Sequence, residues 1–106
     1  MKQQLSYFLI FSFLLLLSSC KDDPAPLANA DFYADGDGCT ASCKVHFYDQ
    51  SKNAVKWQWS FGNGFSSTKP NDSTAYANGG VYNVKLIVWN KDDVADSILK
   101  TITINE

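Results

Sequence analysis

Apolar side chains at every second position run through much of this 106-residue chain, and this alternation restricts the fold more than any other feature. The clearest run is residues 55–61 (VKWQWSF), and further runs of the same kind occupy residues 30–34, 45–47, 82–88 and 102–104. Strict alternation indicates strands with one buried face. We find no apolar stripe at the 3.6-residue spacing of a capped helix. The sequence therefore predicts an all-β fold.

Residues that favour chain reversal separate these runs. The four clusters are residues 35–38 (DGDG), 62–64 (GNG), 78–80 (NGG) and 90–93 (NKDD). Glycine accepts backbone angles that other residues avoid, and Asn and Asp bond to nearby backbone groups in turns. Short strands joined by such turns favour an antiparallel β-sandwich.

The N-terminal segment differs in composition and predicts a secretory signal. Residues 5–19 are uncharged and rich in Leu, Phe and Ser, with Lys2 ahead of them and small residues at their end. The run is short for a membrane span, which takes about 20 apolar residues, and its layout is that of a signal peptide. We therefore assign residues 1–19 to a signal peptide. The alternative is an uncleaved membrane anchor.

Residues 17–20 (LSSC) resemble the bacterial lipobox, in which an aliphatic residue and two small residues precede an obligatory cysteine. The resemblance implies that Cys20 carries a diacylglyceryl group on its sulfur and becomes the N-terminus after cleavage. A thiolate is a suitable nucleophile for the lipid, and several acyl chains on one residue anchor a protein firmly. The membrane is thus an expected partner, through the lipid on Cys20.

The residues after Cys20 predict where the anchored protein resides. Residues 21–23 (KDD) resemble the acidic export signal of Bacteroidetes surface lipoproteins, and the alternative is a simple polar tether. Residues 24–28 (PAPLA) indicate an extended spacer because proline disfavours helix. We therefore expect a lipidated cysteine and flexible tether at residues 20–28 and a folded domain at residues 29–106. The protein is expected in the outer membrane, lipid-anchored and exposed at the cell surface.

The charge balance argues against nucleic-acid binding. The chain has nine lysines, no arginine and 11 acidic residues, for a net charge of -2. Phosphate binding needs a concentrated basic face, and arginine is the usual bidentate reader of phosphate and guanine. We expect no nucleic-acid partner.

Cys39 and Cys43 are the two cysteines left once Cys20 is assigned to lipid. An even count in an exported protein favours a disulfide, provided that the intervening residues turn tightly enough to bring the Cα atoms within about 7 Å. Two free thiols are the alternative. A metal site is disfavoured because two cysteines and the distant His46 do not supply four ligands.

A longer pattern resembles the polycystic kidney disease (PKD) domain family. Residues 59–64 (WSFGNG) resemble its W-x-F-G-D-G motif, and residues 80–90 resemble its G-x-Y-x-V-x-L-x-V-x-N motif. The residues that carry the pattern are Trp59, Phe61, Gly62, Asn63, Gly64, Ser67, Pro70, Tyr76, Gly80 and Tyr82. The resemblance covers roughly residues 29–106. It implies an immunoglobulin-like antiparallel β-sandwich of about seven strands, with roles in extracellular interaction and spacing.

The motif residues have physical roles in such a sandwich. Trp59 and Phe61 can fill the space between the sheets, each burying about 150–250 Å². The glycines let the chain reverse where a Cβ would clash. Asn63 stands where the family has aspartate, and it tolerates left-handed turn geometry. The exchange removes a negative charge that an ion site in this loop would use.

No catalytic constellation is apparent, and we expect neither an enzyme nor a cofactor. The single histidine, His46, lies on the polar phase of its strand, and we find no serine elbow, zinc-type histidine pair or phosphate-binding glycine loop. Asp35 and Asp37 resemble the start of a calcium loop but lack the downstream bidentate acid. We treat them as a calcium candidate, with a solvated turn as the alternative, and predict no other metal site.

Ile87 and Trp89 suggest a binding surface. They lie on the opposite phase from the apolar residues of 82–88, so a sandwich turns them outward. An exposed tryptophan can stack on a sugar ring or anchor a protein contact. The alternative is burial under residues 90–93 or against the tether.

Together these features predict a non-catalytic, lipid-anchored cell-surface module that binds polysaccharide or protein and mediates adhesion. One alternative is an inert spacer lipoprotein, and another is an accessory protein that supports a partner hydrolase. Measurable ligand affinity at an exposed aromatic cluster would distinguish the binding module from the spacer.

Overall fold

The computed structural model describes residues 23–106, which form seven β-strands. The strands are β1 Phe32–Asp35, β2 Cys43–Asp49, β3 Lys56–Ser60, β4 Ser66–Ser67, β5 Asp72–Tyr76, β6 Gly80–Trp89 and β7 Ala95–Ile104. This part of the chain contains no helix with the length and apolar character needed to cross a membrane. The predicted signal peptide and the lipidation site at Cys20 lie outside the described residues.

The strands form two sheets that pack face to face. One sheet has the order β1-β2-β5 and the other has the order β4-β3-β6-β7, and every pairing is antiparallel. The predicted antiparallel β-sandwich of about seven strands is therefore confirmed. The alternation pattern does not reveal β4, because this strand consists of two serines and is defined only by its pairing with β3.

Trp59 lies at the centre of the core between the two sheets and is fully buried. Its ring meets Phe32 edge-on at a centroid distance of 5.0 Å and stacks on Phe61 at 5.7 Å. Its Nε1–H donates to the Lys69 carbonyl oxygen at 2.8 Å, so the polar end of the indole is satisfied. The other fully buried hydrophobic side chains are Phe32, Phe61, Phe47, Val45, Tyr76, Val84, Leu86, Val88 and Ile104.

The inward alternation predicted for residues 55–61 fails at its first position. Val55 is 52% exposed, whereas Trp59 and Phe61 are buried as expected and Trp57 is partly buried. The reason is that β3 begins at Lys56, so Val55 lies outside the strand and does not share its pleat. The Val55 N–H still donates to the Trp89 carbonyl oxygen at 2.8 Å.

Residues 25–28, which the sequence assigns to the flexible tether, lie against the domain. The Ala25 N–H donates to Asp92 Oδ2 at 2.8 Å, and Asn90 Nδ2 donates to the Pro26 carbonyl oxygen at 3.0 Å. Ala25 is buried as well, and Ala28 is buried as part of the hydrophobic core. The packed part of the chain therefore begins before the boundary that we predict at Asn29, because the loop after β6 supplies partners for this backbone.

The two ends of the described chain lie at opposite ends of the sandwich. Residues 25–28 mark one end, which we call the N-terminal end, together with the loop between β6 and β7. β7 begins beside this loop, and its 10 residues carry the chain about 30 Å to Ile104. At the opposite, C-terminal end, Gly80 pairs with Ile104.

A disulfide closes the loop between β1 and β2 at the C-terminal end. Cys39 and Cys43 are bonded, with 6.3 Å between their Cα atoms, which confirms the predicted bridge. Thr40, inside this loop, forms a parallel bridge with Asn105. The loop is thereby fastened to the last residues of the chain.

Candidate functional site

A cleft opens where β3 lacks a neighbouring strand. β4 pairs only with Trp59 and Ser60, the last two residues of β3. Beyond Ser67 the chain leaves β3, and in residues 23–106 no strand pairs with Lys56–Gln58 on that side. The cleft has a volume of about 380 Å³ and is lined by Val55, Lys56, Trp57, Gln58, Thr68, Pro70 and Trp89.

Trp89 forms one wall of this cleft. It lies directly opposite Lys56 in the pairing of β3 with β6, and its side chain is partly buried. Lys56 Nζ lies 5.8 Å from the centroid of the Trp89 ring and 2.7 Å from Asp93 Oδ1. The ammonium group is attracted by the electron-rich face of the indole, and its charge is balanced by Asp93. The lining of the cleft thus offers no unbalanced charge.

Trp57 contributes a donor that has no acceptor. Its Nε1 is the only buried side-chain nitrogen or oxygen among residues 23–106 that lacks a hydrogen-bond partner. Leaving such a group unpaired costs about 1–3 kcal/mol, and native proteins satisfy nearly all of them. The N–H of Trp59, by contrast, is paired to Lys69, so Trp57 is the core-facing tryptophan of β3 whose donor is left unsatisfied beside the cleft.

Of the two residues predicted to form a binding surface, only Trp89 lines the cleft. Both Trp89 and Ile87 are on the outward phase of β6, as predicted, and both are partly buried. Ile87 lies between Gln58 and Ser97 on the face of the sheet. Neither predicted alternative fully describes Trp89, since it is neither freely exposed nor buried beneath the following loop.

The remaining cleft residues could not be identified from the sequence. Lys56 and Gln58 occupy the polar phase of β3 and look like ordinary solvent-facing positions. Their proximity to Trp89 depends on the register between β3 and β6, and Thr68 and Pro70 reach the cleft only because β4 is short. The unpaired donor of Trp57 offers no signal in the sequence at all.

A second pair of exposed aromatic rings lies on the other sheet. Tyr33 and Tyr48 face each other across β1 and β2, with stacked rings at a centroid distance of 6.4 Å and exposures of 53% and 42%. His46 and Asp35 are paired next to them. Tyr33 also lines a smaller cavity of about 220 Å³ between β1 and β7. The tyrosine pair therefore serves as a comparison surface for the cleft at Trp89.

Asn63, the departure from the family motif, connects the two sheets. Its Nδ2 donates to Thr74 Oγ1 at 2.9 Å and to the Ala75 carbonyl oxygen at 3.0 Å, and its Oδ1 accepts the Phe65 N–H at 3.1 Å. It is not among the residues with a positive φ. The predicted reason for its suitability, left-handed turn geometry, is therefore wrong, and the two amide donors are what the position uses.

Among the other motif residues only Pro70 lines the cleft, and the rest belong to strands, turns and core. Gly62 has φ 82°, and a Cβ at this position would meet the Asn83 carbonyl oxygen at 2.6 Å. Gly64 also has a positive φ, of 95°, but a Cβ there would meet nothing within 4 Å. Gly80 is the first residue of β6.

Tyr76 and Tyr82 pack together, with 4.6 Å between their ring centroids. The Tyr76 hydroxyl donates to the Phe61 carbonyl oxygen at 2.7 Å, and burial raises the pKa of Tyr76 well above its usual range. The Tyr82 hydroxyl donates to the Asn78 carbonyl oxygen at 2.7 Å. Both hydroxyls are thus engaged with backbone.

Asp35 and Asp37, the calcium candidate, do not come together with a third acidic ligand. Within residues 23–106 no group of three or more His, Cys, Asp or Glu side chains could hold a metal ion. Asp37 Oδ1 accepts the Thr103 N–H at 2.8 Å, which fixes the loop after β1 to the edge of β7. In the described structure this carboxylate therefore serves as a hydrogen-bond acceptor for a backbone N–H at the edge of β7.

Comparison with known proteins places the chain in a family. The family model for the PKD domain matches residues 23–105. Among solved structures, the PKD1 domain of Vibrio anguillarum Epp has a TM-score of 0.67 and 24% sequence identity, covering 77% of this chain and 98% of that chain. The PKD1 domain of the Vibrio cholerae metalloprotease PrtV has a TM-score of 0.64 and 28% identity, covering 73% and 95%.

A third similar structure is of carbohydrate-binding modules from the β-sandwich superfamily, described as having promiscuous specificity. Its TM-score is 0.71 at 25% identity, and the match covers 79% of this chain but only 36% of that longer one. No curated protein matches the sequence. The family match extends over most of the chain and agrees with the seven-stranded sandwich and its motif residues, and the chain therefore belongs to the PKD domain family.

Proposed function

We propose that this protein is a non-catalytic binding module at the cell surface, which engages a polysaccharide or a protein through the cleft beside Trp89. The observation that carries the proposal is the cleft itself, where a partly exposed indole adjoins a strand edge without a partner. Binding sites typically combine an aromatic wall with a few polar groups. The similarity to carbohydrate-binding modules supports this kind of function.

The proposal includes an anchor at Cys20. Its support is the lipobox resemblance of residues 17–20 and the uncharged segment before them. A chain with Cys20→Ser should lose the lipid, and the mass of the membrane-extracted protein measures this directly. Equal membrane association and equal mass for the variant and the natural chain would contradict the anchor.

Binding is tested by a fluorescence titration of the full chain in detergent micelles against a panel of polysaccharides and of envelope proteins. We expect a saturable change in tryptophan emission, and we expect Trp89→Ala to weaken binding at least about tenfold, as the loss of a central aromatic anchor does. The matched control is Tyr33→Ala, which removes a 53% exposed ring from the other sheet.

Two outcomes would count against the cleft. If Tyr33→Ala abolishes binding while Trp89→Ala does not, the site lies on the tyrosine face. If no member of the panel binds, the module function is not supported.

A spacer role is the second candidate, and one observation favours it. The docked residues 25–28 and the last residues of the chain lie at opposite ends of the sandwich, so the domain holds its two ends about 30 Å apart. A spacer needs this separation and no ligand. Binding that depends on Trp89 would favour the module over the spacer.

A further inference from the structure

The open edge of β3 offers backbone groups of both hydrogen-bonding kinds. In an antiparallel pair, alternate residues direct both their N–H and their C=O toward the partner strand, and the residues between them direct both groups away. At least one residue of Lys56–Gln58 therefore presents a donor and an acceptor to the cleft side, where no strand pairs with it in the described chain. A ligand that fits must both accept and donate.

The side chains around this edge have the same mixed character. Gln58 carries an amide, whose Nε2 donates to the Trp59 carbonyl oxygen at 3.3 Å while its Oε1 is an additional acceptor. Thr68, on the opposite wall, is exposed and carries a hydroxyl that donates and accepts. Trp57 Nε1 adds the donor that has no acceptor.

Charge does not select the ligand. Lys56 is the one charged side chain in the lining, and its Nζ is held 2.7 Å from Asp93 Oδ1. An anionic ligand would have to compete with Asp93 for this ammonium, and a cationic ligand would meet the ammonium itself. The balance favours a neutral ligand.

The size of the cleft argues against an added peptide strand. Its volume of about 380 Å³ is at the small end of ligand sites, which span roughly 300–1,000 Å³. The open edge is only three residues long, and Thr68 and Pro70 line the cleft beside it. A short, compact ligand suits this space better than an extended peptide.

We infer that the cleft binds a neutral saccharide, a deepening that rests on the proposed binding function. Sugar hydroxyls both donate and accept, so they can pair with the β3 edge, Gln58 and Thr68 at once. The apolar face of the ring rests against Trp89. Trp57 lines the cleft, but its Nε1 is buried, so its N–H gains a hydroxyl acceptor only if the indole turns toward the cleft when the sugar enters. The test below measures this directly.

The test follows the three indole N–H signals by ¹⁵N NMR, with the full chain in detergent micelles. The probes are cellohexaose and mannohexaose as neutral sugars, polygalacturonate as an anion, and an extended peptide. We expect the neutral sugars to shift the signals of Trp57 and Trp89. The signal of Trp59 should stay in place, because its N–H is already bonded to Lys69 inside the core.

Two variants examine the polar contacts. Thr68→Val keeps the shape of an exposed side chain and removes its hydroxyl, and we expect it to weaken sugar binding about two- to tenfold. Thr101→Val, a similarly exposed residue on β7, is the matched control and should have no effect. Trp57→Phe should weaken binding by a similar factor if the fold is retained. Thr68→Val carries the test if the Trp57 variant does not fold.

Each contrary outcome has a distinct meaning. Binding of the anionic polymer in preference to the neutral sugars overturns the inference about charge. If only the peptide or an envelope protein binds, and Trp89→Ala abolishes that binding, the saccharide inference is wrong while the binding function stands. If sugars bind without moving the Trp57 signal, the role assigned to its N–H is wrong.

Discussion

Asn63 shows how much one side chain amide contributes where the two sheets meet. It lies in the loop between β3 and β4, and both of its amide hydrogens reach β5 in the other sheet. A carboxylate at this position could accept but could not donate. The family's usual aspartate would therefore face the Ala75 carbonyl oxygen without a bond to it.

Asn63→Asp is accordingly expected to lower the free energy of unfolding by about 0.5–1.5 kcal/mol, the net contribution of a typical hydrogen bond, because the carboxylate cannot donate to the Ala75 carbonyl oxygen. Urea denaturation at neutral pH measures the change. Asn71→Asp is the matched control, because Asn71 uses only its Oδ1, as the acceptor of the Asp49 N–H, and aspartate preserves that acceptor. Equal stability of the Asn63 variant and the natural chain would contradict the bridging role.

The hydrogen bonds of Asp72 lead us to expect that the folded domain loses stability in acid. The Ser67 hydroxyl donates to its Oδ2 at 2.6 Å and the Ser73 N–H to its Oδ1 at 2.8 Å, and these bonds hold the pKa of Asp72 below its ordinary value of 3.8. The ionised carboxylate therefore stabilises the fold above that value, and the contribution is lost as the pH falls through the folded-state pKa.

Ser67→Ala should reduce this acid sensitivity. We expect the difference in urea midpoint between about pH 7 and about pH 2.5 to shrink when the Ser67 hydroxyl is removed, because the pKa of Asp72 then rises toward its unfolded value. Ser66→Ala removes a neighbouring exposed hydroxyl and should leave the difference unchanged. An unaltered difference in the Ser67 variant would show that this bond does not control the titration.

At the scale of elements, the turn between β3 and β4 contains two glycines with positive φ, and only one of them also lacks room for a side chain. Gly62→Ala would place a Cβ 2.6 Å from the Asn83 carbonyl oxygen on β6 and would also strain a backbone with φ 82°. We expect a loss of about 3 kcal/mol or more in unfolding free energy. Gly64 has φ 95° but open space around it, so Gly64→Ala would only strain the backbone. We expect it to lower the unfolding free energy by about 1–2 kcal/mol. Urea denaturation of the two variants compares them, and a larger loss at Gly64 would refute the steric explanation.

The sandwich has two lateral sides where the edge strands of the two sheets face each other, and the contacts differ between these sides. Between β1 and β7, Lys100 Nζ donates to the Phe32 carbonyl oxygen and lies 3.0 Å from Asp31 Oδ1, which lowers the pKa of Asp31. Asp96 Oδ2 accepts the Ala30 N–H at 2.8 Å on the same side. Lys100 and Asp96 thus bridge that side, where a cavity of about 220 Å³ remains. At Lys56–Gln58, by contrast, no strand of the described chain pairs with the outer edge of β3.

The sequence predicts the strands better than it predicts which residues of different strands lie next to each other. The alternation of residues 55–61 and 82–88 correctly indicates β3 and β6, and the family motif correctly indicates which of their residues fill the core. The open edge of β3 depends on a two-residue β4 and on a register that no local pattern encodes. For this reason Trp89 was predictable as an outward residue, while Gln58 and Thr68 as its neighbours were not.

At the scale of the whole molecule, the docked segment restricts how an anchored domain can be oriented. Four residues, 21–24, separate Cys20 from Ala25, and the five Cα-to-Cα steps between them span at most about 18 Å when fully extended. Ala25 is hydrogen-bonded at the N-terminal end of the sandwich. The same end exposes Leu27, Val55 and Val94, at 69%, 52% and 46%. An anchored chain should therefore hold this end against the bilayer.

This orientation can be measured with fluorophores attached at two positions of the lipidated chain in vesicles that carry a headgroup quencher. A label at Lys91→Cys, in the loop at the N-terminal end, should be quenched strongly. A label at Asn78→Cys, near the C-terminal end about 30 Å away, should be quenched little. Equal quenching at both positions would show that the docked segment does not orient the domain.

The docking of residues 25–28 also affects how easily the domain could be shed. Proteases cut exposed, extended chain, and they cut packed and hydrogen-bonded backbone slowly. Between Cys20 and the bonded Ala25 the sequence has only residues 21–24, and Pro24 is one of them. An anchored domain of this kind would offer a protease at the cell surface very little accessible chain to bind and cleave. It would therefore stay on the membrane under conditions in which a domain on a longer tether would be released.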